Sequence, residues 1–537
     1  MSVAALENLK HRSNVAWLDG LRAIAVGLVV AYHIPDVGGA LRFLHGGFVG
    51  VDVFFVLSGF LVTRSLVAKY EAGGNFRSVF WLARARRIAP ALIVVLSTSA
   101  LLAFLLLRPS ELQSFSQSAV AALFYVSNFY FYAGDPYEAN TNALIPLIHT
   151  WSLSAEAQFY LLYPFLVAGT LSEPHRLLRR LLWLTGVSYV LCHVLFLWNA
   201  SAAFYWTPSR FWEFGAGALA ATSLRVFRIR ASLLLPLIGL AAITGAAISF
   251  DDKQYNPALG GLLPVTGTVL VLLFTTKGPV ASLLSLKPLM LVGAMSYSVY
   301  LWHQPILAMA RLRTGGSLDL SAVVAAVIII LALSFASWRL VEVPFYRRKF
   351  FSSTQRIASF IGVAQVALIA LAIVGATYPG TAALWLGGNF SYEPRRGLAT
   401  RNGKPCPTDT TQDVCVIGDQ AVIPSIALLG DSHAATISGA AGQMFKTHSQ
   451  SALLMPMRGC PFIVGVRRFT YPRDCATHAD QVFDRLLADK IQTVVISDYR
   501  SLYLTGTGGD GVQKVEENAV YSLAAGRQSL SRASDVL

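Results

Sequence analysis

Eleven apolar runs fill the first 378 positions of this chain, near 18–36, 47–67, 88–108, 150–170, 181–199, 209–224, 231–250, 259–276, 288–310, 319–341 and 356–378. A bilayer core about 30 Å thick takes roughly 20 apolar residues per helical crossing. Only helices or closed barrels satisfy their own backbone there. Runs of this length and number predict a multi-span α-helical membrane bundle. Composition agrees: 54% of the residues are hydrophobic and 13% charged, with a mean hydropathy of +0.54, whereas a soluble domain carries about 25% charged residues. The formal net charge of +14 would suggest nucleic acid in a soluble protein. Here the basic residues sit in short segments between apolar runs, and no basic–aromatic module accompanies them, so lipid and not nucleic acid is the expected surface.

Those basic segments, 69–87, 175–180, 225–230, 277–287 and 346–349, should all face the cytoplasm. With the N-terminus inside, two crossings bring 69–87 back inside. An even number must then separate it from 175–180, and the runs 88–108 and 150–170 supply two. A further run at 116–133, rich in Tyr and Phe and interrupted by Ser127 and Asn128, would break that parity. It is therefore expected to be re-entrant or interfacial. The expectation is about eleven spans, with everything after residue 379 outside. No cleavable signal peptide is visible, because the first run begins only at Leu18 and leads into further spans.

Cysteine usage points to the same side. Cys192 lies in an apolar run and reads as inert core. Cys406, Cys415, Cys460 and Cys475 are confined to the polar C-terminal part, an even number that suggests disulfides in an oxidising compartment. Sequential pairing, Cys406 with Cys415 and Cys460 with Cys475, is the expectation, although sequence alone does not fix connectivity. Zinc-ligand spacings are not matched, and no metal is expected. Residues 380–425, with many Gly, Pro, Asn and Thr, read as a linker. From Ile426 the pattern becomes α/β: a short buried strand ends in Gly430-Asp431-Ser432-His433, a helix follows, and Thr493–Ile496 reads as another buried strand. No repeat of solenoid period is present.

Several ionisable residues lie within the runs. Each costs about 2.5–3.5 kcal/mol at membrane depth on insertion scales, and so normally lines a cavity. Arg22 and His33 are close to three helical turns apart, on one face and about 16 Å along the axis. Asp52 follows in the next run. A histidine can take a proton from a hydroxyl and return it, and a carboxylate can orient it; the bland alternative is a hydrogen-bonded core histidine. His149 and Glu156, two turns apart in HTWSLSAEAQFY, share a face, unless the stretch is an interfacial Trp and Tyr belt. Arg84, Arg86 and Arg87 either signal orientation or dock phosphates, whose oxygens match guanidinium forks. Arg210 and Glu213 read as a buried ion pair that braces the bundle or lines a cavity. His303, in YLWHQP, is structural or cavity-lining.

Together these motifs resemble the acyltransferase-3 family of membrane acyltransferases. Arg22-x10-His33, GGFVGVDVFFVLSGF at 46–60, RARRIAP at 84–90, HTWSLSAEAQFYLLYP at 149–164 and SYSVYLWHQP at 296–305 occur in the family's order, and the resemblance covers roughly residues 15–345. It implies a bacterial inner-membrane enzyme with no bound cofactor. Such an enzyme moves an acyl group, usually acetyl from acetyl-coenzyme A, to a hydroxyl of a cell-envelope carbohydrate such as O-antigen or exopolysaccharide. By motif, His33 is implied as base or acyl-relay residue with Arg22 as its partner; Asp52 is expected from the residues themselves as a further helper. Arg84 and Arg87 match the family's RxxR, which is implied to meet the coenzyme A phosphates. His149, Glu156, Arg210 and Glu213 are carried as substrate- or donor-binding residues.

The C-terminal part resembles an SGNH-hydrolase-type domain of the kind fused to this family. Ser432 would be its nucleophile, with Asp431 in the same block, and backbone amides at Ser432 and Gly459 would hold an oxyanion. The family's late DxxH block is not found, since no histidine follows His478; the expectation is that the chain is truncated. The organisation expected is therefore an acyltransferase domain over 1–345, an additional membrane helix over 346–379, a periplasmic linker over 380–425 and an incomplete SGNH-like domain over 426–537. A carbohydrate exporter and a non-catalytic homologue with a degenerate outer domain are the alternatives; the exporter would show pseudo-symmetric halves, and none is seen.

Overall fold

The computed structural model describes residues 16–34, 44–73, 75–107, 109–134, 143–251, 255–275, 277–314, 318–347, 350, 353–377, 399–401, 404–406, 414–457, 466–468, 475–497 and 521–523. The chain divides into two compact units, Met1–Phe390 and Ser391–Leu537.

The first unit is helical. Its described elements begin with α1 (Ala16–His33), α2 (Gly50–Glu71), α3 (Phe76–Leu106), α4 (Pro109–Leu123), α5 (Ser127–Ala133) and α6 (Thr150–Leu166). They continue with α7 (Pro174–Trp198), α8 (Ala200–Tyr205), α9 (Thr207–Val226), α10 (Leu234–Ser249), α11 (Leu262–Phe274), α12 (Pro279–Leu284) and α13 (Lys287–Ala294). The unit ends with α14 (Ser296–Thr314), α15 (Leu320–Ser337), α16 (Val343–Tyr346) and α17 (Thr354–Thr377). Among the described residues, five stretches are long and apolar enough to cross a membrane: Gly47–Glu71, Phe76–Leu106, Pro174–Trp198, Leu320–Tyr346 and Thr354–Thr377. Helices also cover the other expected runs, but α10 and α11 are shorter than a full crossing.

Several boundaries differ from the hydropathy reading. α3 begins at Phe76, capped by Asn75, whose side chain accepts from Ser78 N. The segment carrying Arg84, Arg86 and Arg87 is thus the part of this helix that precedes the apolar run at 88–108. The run 288–310 is two helices broken at Met295. The run 116–133 is broken too, into α4 and α5, with Tyr125 at φ 55° in the turn between them; α4 packs against α17. A π-helical segment, Trp338–Glu342, joins α15 to α16.

Packing around α2 fixes the centre of the bundle. α2 and α9 cross where each offers a glycine. A Cβ on Gly59 would lie 1.8 Å from Phe214 O, and one on Gly217 would lie 1.9 Å from Val56 O. Small residues let helix backbones approach this closely. Phe159, Phe214 and Phe55 then stack across α6, α9 and α2, with ring centroids 4.5 and 4.3 Å apart. At the end of these helices Arg225 meets Glu71 at 2.5 Å. The basic segments 69–87 and 225–230 therefore lie at the same end of the bundle.

The second unit carries a four-stranded sheet, from β3 (Cys415–Gly418), β4 (Ile426–Gly430), β5 (Ser451–Pro456) and β7 (Thr493–Ser497), in the order β3-β5-β4-β7. β4 pairs in parallel with β5 and β7, and β3 is antiparallel to β5. Two small antiparallel pairs accompany it, β1 (Thr400–Arg401) with β2 (Lys404–Pro405) and β6 (Val466–Arg468) with β8 (Tyr521–Leu523). The helices are α18 (Ser432–Thr447) and α19 (Cys475–Ala488). All five residues of β4 are buried, as the apolar run Ile426–Leu429 requires. β7 was expected to be buried, but it sits at the sheet edge with Val494, Val495 and Ile496 exposed. Cys406 and Cys415 form a disulfide with a Cα–Cα distance of 5.9 Å. Cys460 and the side chain of Cys475 lie outside the described residues. Cys192 is a buried free thiol.

Candidate active site

The ionisable residues of the bundle fall into three groups. The first lines a partly open cavity between α1, α2, α3, α6 and α14. Arg22 enters it from the start of α1, and Arg84 and Arg87, one turn apart, from α3. Glu156 and Tyr160 enter from α6, and Ser58 from α2. The Arg84 guanidinium lies over the rings of Phe80 and Tyr160, 5.5 and 5.3 Å from their centroids. Glu156 accepts from Ser58 Oγ at 2.5 Å and from the Tyr160 hydroxyl. Asp19 holds Arg22 at 3.0 Å. Three guanidinium groups against one carboxylate make the lining cationic, as an anionic ligand requires. Arg86 is buried and points away, its Nη2 donating to Ser353 O at 3.4 Å.

The second group is three histidine rings from three elements. His33 ends α1, His149 directly precedes α6, and His303 lies within α14. The ring centroids of His33 and His303 are 5.0 Å apart, and those of His149 and His303 5.3 Å. His149 and His303 are buried. His33 Nδ1 lies 2.8 Å from Val29 O, and its backbone carbonyl accepts from Arg311 of α14. Among the described residues no three His, Cys, Asp or Glu side chains are spaced to hold a metal ion.

Tyr300 stands between these two groups. It lines the cavity, and its ring lies 5.5 Å from that of His149 and 5.3 Å from that of His303. Its hydroxyl bridges Ser152 Oγ at 2.5 Å and the His149 carbonyl at 2.9 Å. A single layer of side chains thus separates the arginine cavity from the histidines.

The third group is structural and corrects the role given to Asp52. Arg210 donates to Asp52 Oδ1, and the Tyr255 hydroxyl donates to Asp52 Oδ2 at 2.5 Å. Arg210 Nε also lies 3.0 Å from Glu213, and its guanidinium packs over Phe55, Trp151 and Phe204. Asp52, Arg210 and Glu213 are each at most 1% exposed. Both Asp52 oxygens are committed to the α2–α9 contact and to Tyr255, so Val29 O and not Asp52 orients the His33 ring. Arg210 and Glu213 likewise brace the bundle and do not line the cavity. Arg22 is a further correction: at the far end of α1 from His33, it belongs to the arginine cavity. His149 and Glu156, expected on one face, fall in different groups, because seven residues of helical rise set them about 10 Å apart along the axis.

Sequence reasoning left His303 between a structural and a cavity-lining role and did not single out Tyr300, Ser58, Tyr160 or Glu342. Tyr300 and His303 are one turn apart in SYSVYLWHQP, a signal that the same reasoning could have used. Glu342, on the π-helical segment, accepts from Ser298 Oγ of α14 within electrostatic reach of Arg87 and Arg22. π-helical turns recur at functional sites.

In the second unit, β4 runs into α18 through Gly430, at φ 135°, where a Cβ would lie 2.0 Å from Ser497 O. Asp431 caps the helix: its Oδ1 accepts from His433 N at 2.7 Å and lies 2.9 Å from His433 Nδ1. Ser432 is the first residue of α18, which places its backbone amide among the unpaired donors of a helix start. Its side chain and Gly459 lie outside the described residues.

Helices of membrane-crossing length around a cationic cavity and a histidine cluster, followed by this strand-to-helix turn, define a polytopic membrane acyltransferase with an appended hydrolase-like unit. Family models agree. The one described as an acyltransferase domain matches residues 15–339, and the one described as an SGNH domain fused to such domains matches residues 402–535. The chain belongs to this acyltransferase family. It is similar to the O-acetyltransferase OatA of Staphylococcus aureus (strain NCTC 8325 / PS 47), 29% identical over 367 residues that make up 64% of this chain and 59% of that protein. It is also similar to the peptidoglycan O-acetyltransferase OatA of Listeria monocytogenes, 31% identical over 363 residues, 63% of this chain and 57% of that protein. The chain thus spans less than two thirds of the length of these relatives. No solved structure matches it.

Proposed function

We propose that this chain transfers an acetyl group from acetyl-coenzyme A to a hydroxyl of a cell-envelope carbohydrate. The observation that carries the reading is the adjacency of the arginine cavity, which holds Arg22, Arg84 and Arg87, to the histidine group across the Tyr300 layer. The phosphates of the donor dock on the guanidinium groups from the cytoplasmic side, and the thioester passes Tyr300 to His33. There the hydroxyl oxygen attacks the acyl carbon, the carbon–sulfur bond breaks with its electron pair on sulfur, and His33 moves the released proton to the thiolate.

The Listeria relative is a peptidoglycan O-acetyltransferase, which makes the glycan of peptidoglycan the first acceptor to test, ahead of O-antigen or exopolysaccharide. In this reading the bundle lies in the plasma membrane with its N-terminus inside. The second unit faces outward, where Ser432 takes part in delivery to the glycan.

The test uses the full chain in membrane vesicles, with acetyl-labelled acetyl-coenzyme A and soluble peptidoglycan fragments. Label should reach the glycan in an alkali-labile ester, and His33→Ala should abolish that transfer while the protein still inserts. Transfer that survives His33→Ala would sink the mechanism.

A further inference from the structure

His33 and His303 come from different helices but are set up alike. Each holds Nδ1 against a carbonyl of its own helix, Val29 O at 2.8 Å for His33 and Tyr300 O at 2.6 Å for His303. A carbonyl only accepts, so the neutral ring donates through Nδ1 and carries its lone pair on Nε2. The brace to the helix is made by one nitrogen, and the other is free for something else. In His303, which is 0% exposed, Nε2 has no hydrogen-bond partner among the described residues. A buried acceptor left unmade costs about 1–3 kcal/mol. Nearby, Ser152 pairs with Tyr300, Tyr300 with the His149 carbonyl, and Ser127 with Ser154, while the His149 ring, 5.3 Å away, also has no hydrogen-bond partner on either nitrogen among the described residues. What sets His303 apart is that Tyr300 O holds its Nδ1, which fixes the lone pair on Nε2, and that its ring lies 5.0 Å in centroid distance from the histidine of the Arg-x10-His motif. What it lacks is a hydrogen-bond donor, and an alcohol supplies one.

We propose that His303 Nε2 is the docking point of the acceptor hydroxyl and the base that takes its proton, making His33 and His303 a two-ring relay. This rests on the acyl-transfer reading above and divides its labour. The hydroxyl oxygen forms a bond to the acyl carbon as its proton goes to His303 Nε2. The carbon–sulfur bond breaks and its electron pair leaves on sulfur. The proton then crosses from His303 to His33, which delivers it to the thiolate. Thioester and alcohol become ester and thiol, both rings end neutral, and nothing else is consumed. The ligand class at this subsite is a hydroxyl-bearing acceptor, not the donor, whose phosphates belong to the arginine cavity.

The deciding substitution is His303→Asn. Its side-chain amide can still reach the Tyr300 carbonyl, so the brace survives while the Nε2 lone pair is lost. In the vesicle assay, kcat should fall about 10²- to 10⁴-fold, the usual worth of a positioned base, with the KM for acetyl-coenzyme A within about twofold of the parent. His303→Ala should lose as much, and free imidazole in the buffer should restore part of it saturably. A His303→Asn enzyme with kcat within threefold of the parent would overturn the relay. So would a loss that imidazole does not restore in His303→Ala and that follows the amount of folded protein. His33→Ala run beside them separates the two readings. If it is inactive while His303→Asn is active, only the relay falls; if it too is active, the transfer mechanism itself falls.

Discussion

Removing the Asp52 carboxylate separates a brace from a catalytic helper. Asp52→Ala strands the Arg210 guanidinium, which keeps only Glu213 at 3.0 Å, and leaves the Tyr255 hydroxyl without its 2.5 Å partner. All of these groups are buried. Breaking a buried ion pair by deleting one partner costs about 3–5 kcal/mol, and the stranded hydroxyl lies within that range. At about 2 °C per kcal/mol, the lower end for domains of 150–250 residues, the melting temperature should drop by roughly 6–10 °C. The assay is thermal unfolding of the detergent-solubilised full chain, followed by intrinsic fluorescence, with acyl transfer measured on the same preparation. Activity per folded molecule should change little, because Val29 O and Arg311 hold His33. Asp52→Asn, which keeps an acceptor for Arg210, should fall between Asp52→Ala and the parent. A melting temperature within about 2 °C of the parent together with a hundredfold loss of transfer would refute the reasoning and return Asp52 to the chemistry.

Gly217→Ala should destabilise the bundle by about 1–3 kcal/mol, the usual cost of overpacking, because its Cβ meets Val56 O at 1.9 Å. Gly186→Ala on α7, with nothing within 4 Å, should be neutral or slightly stabilising in the same melting assay. Arg22→Ala and Arg87→Ala should each raise the KM for acetyl-coenzyme A about ten- to hundredfold, from the loss of roughly 1.5–3 kcal/mol of charge-assisted contact, with a smaller change in kcat. Reducing the Cys406–Cys415 bridge, which closes a separation of 9 residues, should remove roughly 2–3 kcal/mol from the second unit in the chain-entropy account. Limited proteolysis with and without dithiothreitol reads this as faster cleavage beyond residue 390.

What was legible in the sequence was whatever lipid imposes within one element. Apolar runs mark helices because a backbone in hydrocarbon has few alternatives, and helices cover the expected runs. Where a helix begins was less legible. The apolar run starts at 88, yet the helix starts at Phe76 and carries Arg84, Arg86 and Arg87, because a helix tolerates guanidinium groups where a cavity or a carbonyl takes the charge, as the arginine cavity and Ser353 O do. Pairings between elements were out of reach. Asp52 and Arg210 are 158 positions apart, and helical period says which residues share a face but not which faces meet. Here the meeting is decided by backbone approach at Gly59 and Gly217, a fact of crossing geometry.

The Arg22–His33 spacing shows how a correct observation can carry the wrong relation. Eleven residues on one helical face were read as two partners in one site, although the axial rise already set them about 16 Å apart. That distance is too long for a hydrogen bond. It suits a ligand whose anionic end and reactive end are held at opposite ends of an extended arm. α1 then acts as a ruler: its start, pinned by Asp19, belongs to the cavity of Arg84 and Arg87, and its end carries His33 into contact with His303. The expected split follows from this. A partner of His33 would be lost in kcat, whereas a grip on the far end of the donor is lost in KM. The Arg22→Ala kinetics therefore report whether α1 spans one site or joins two.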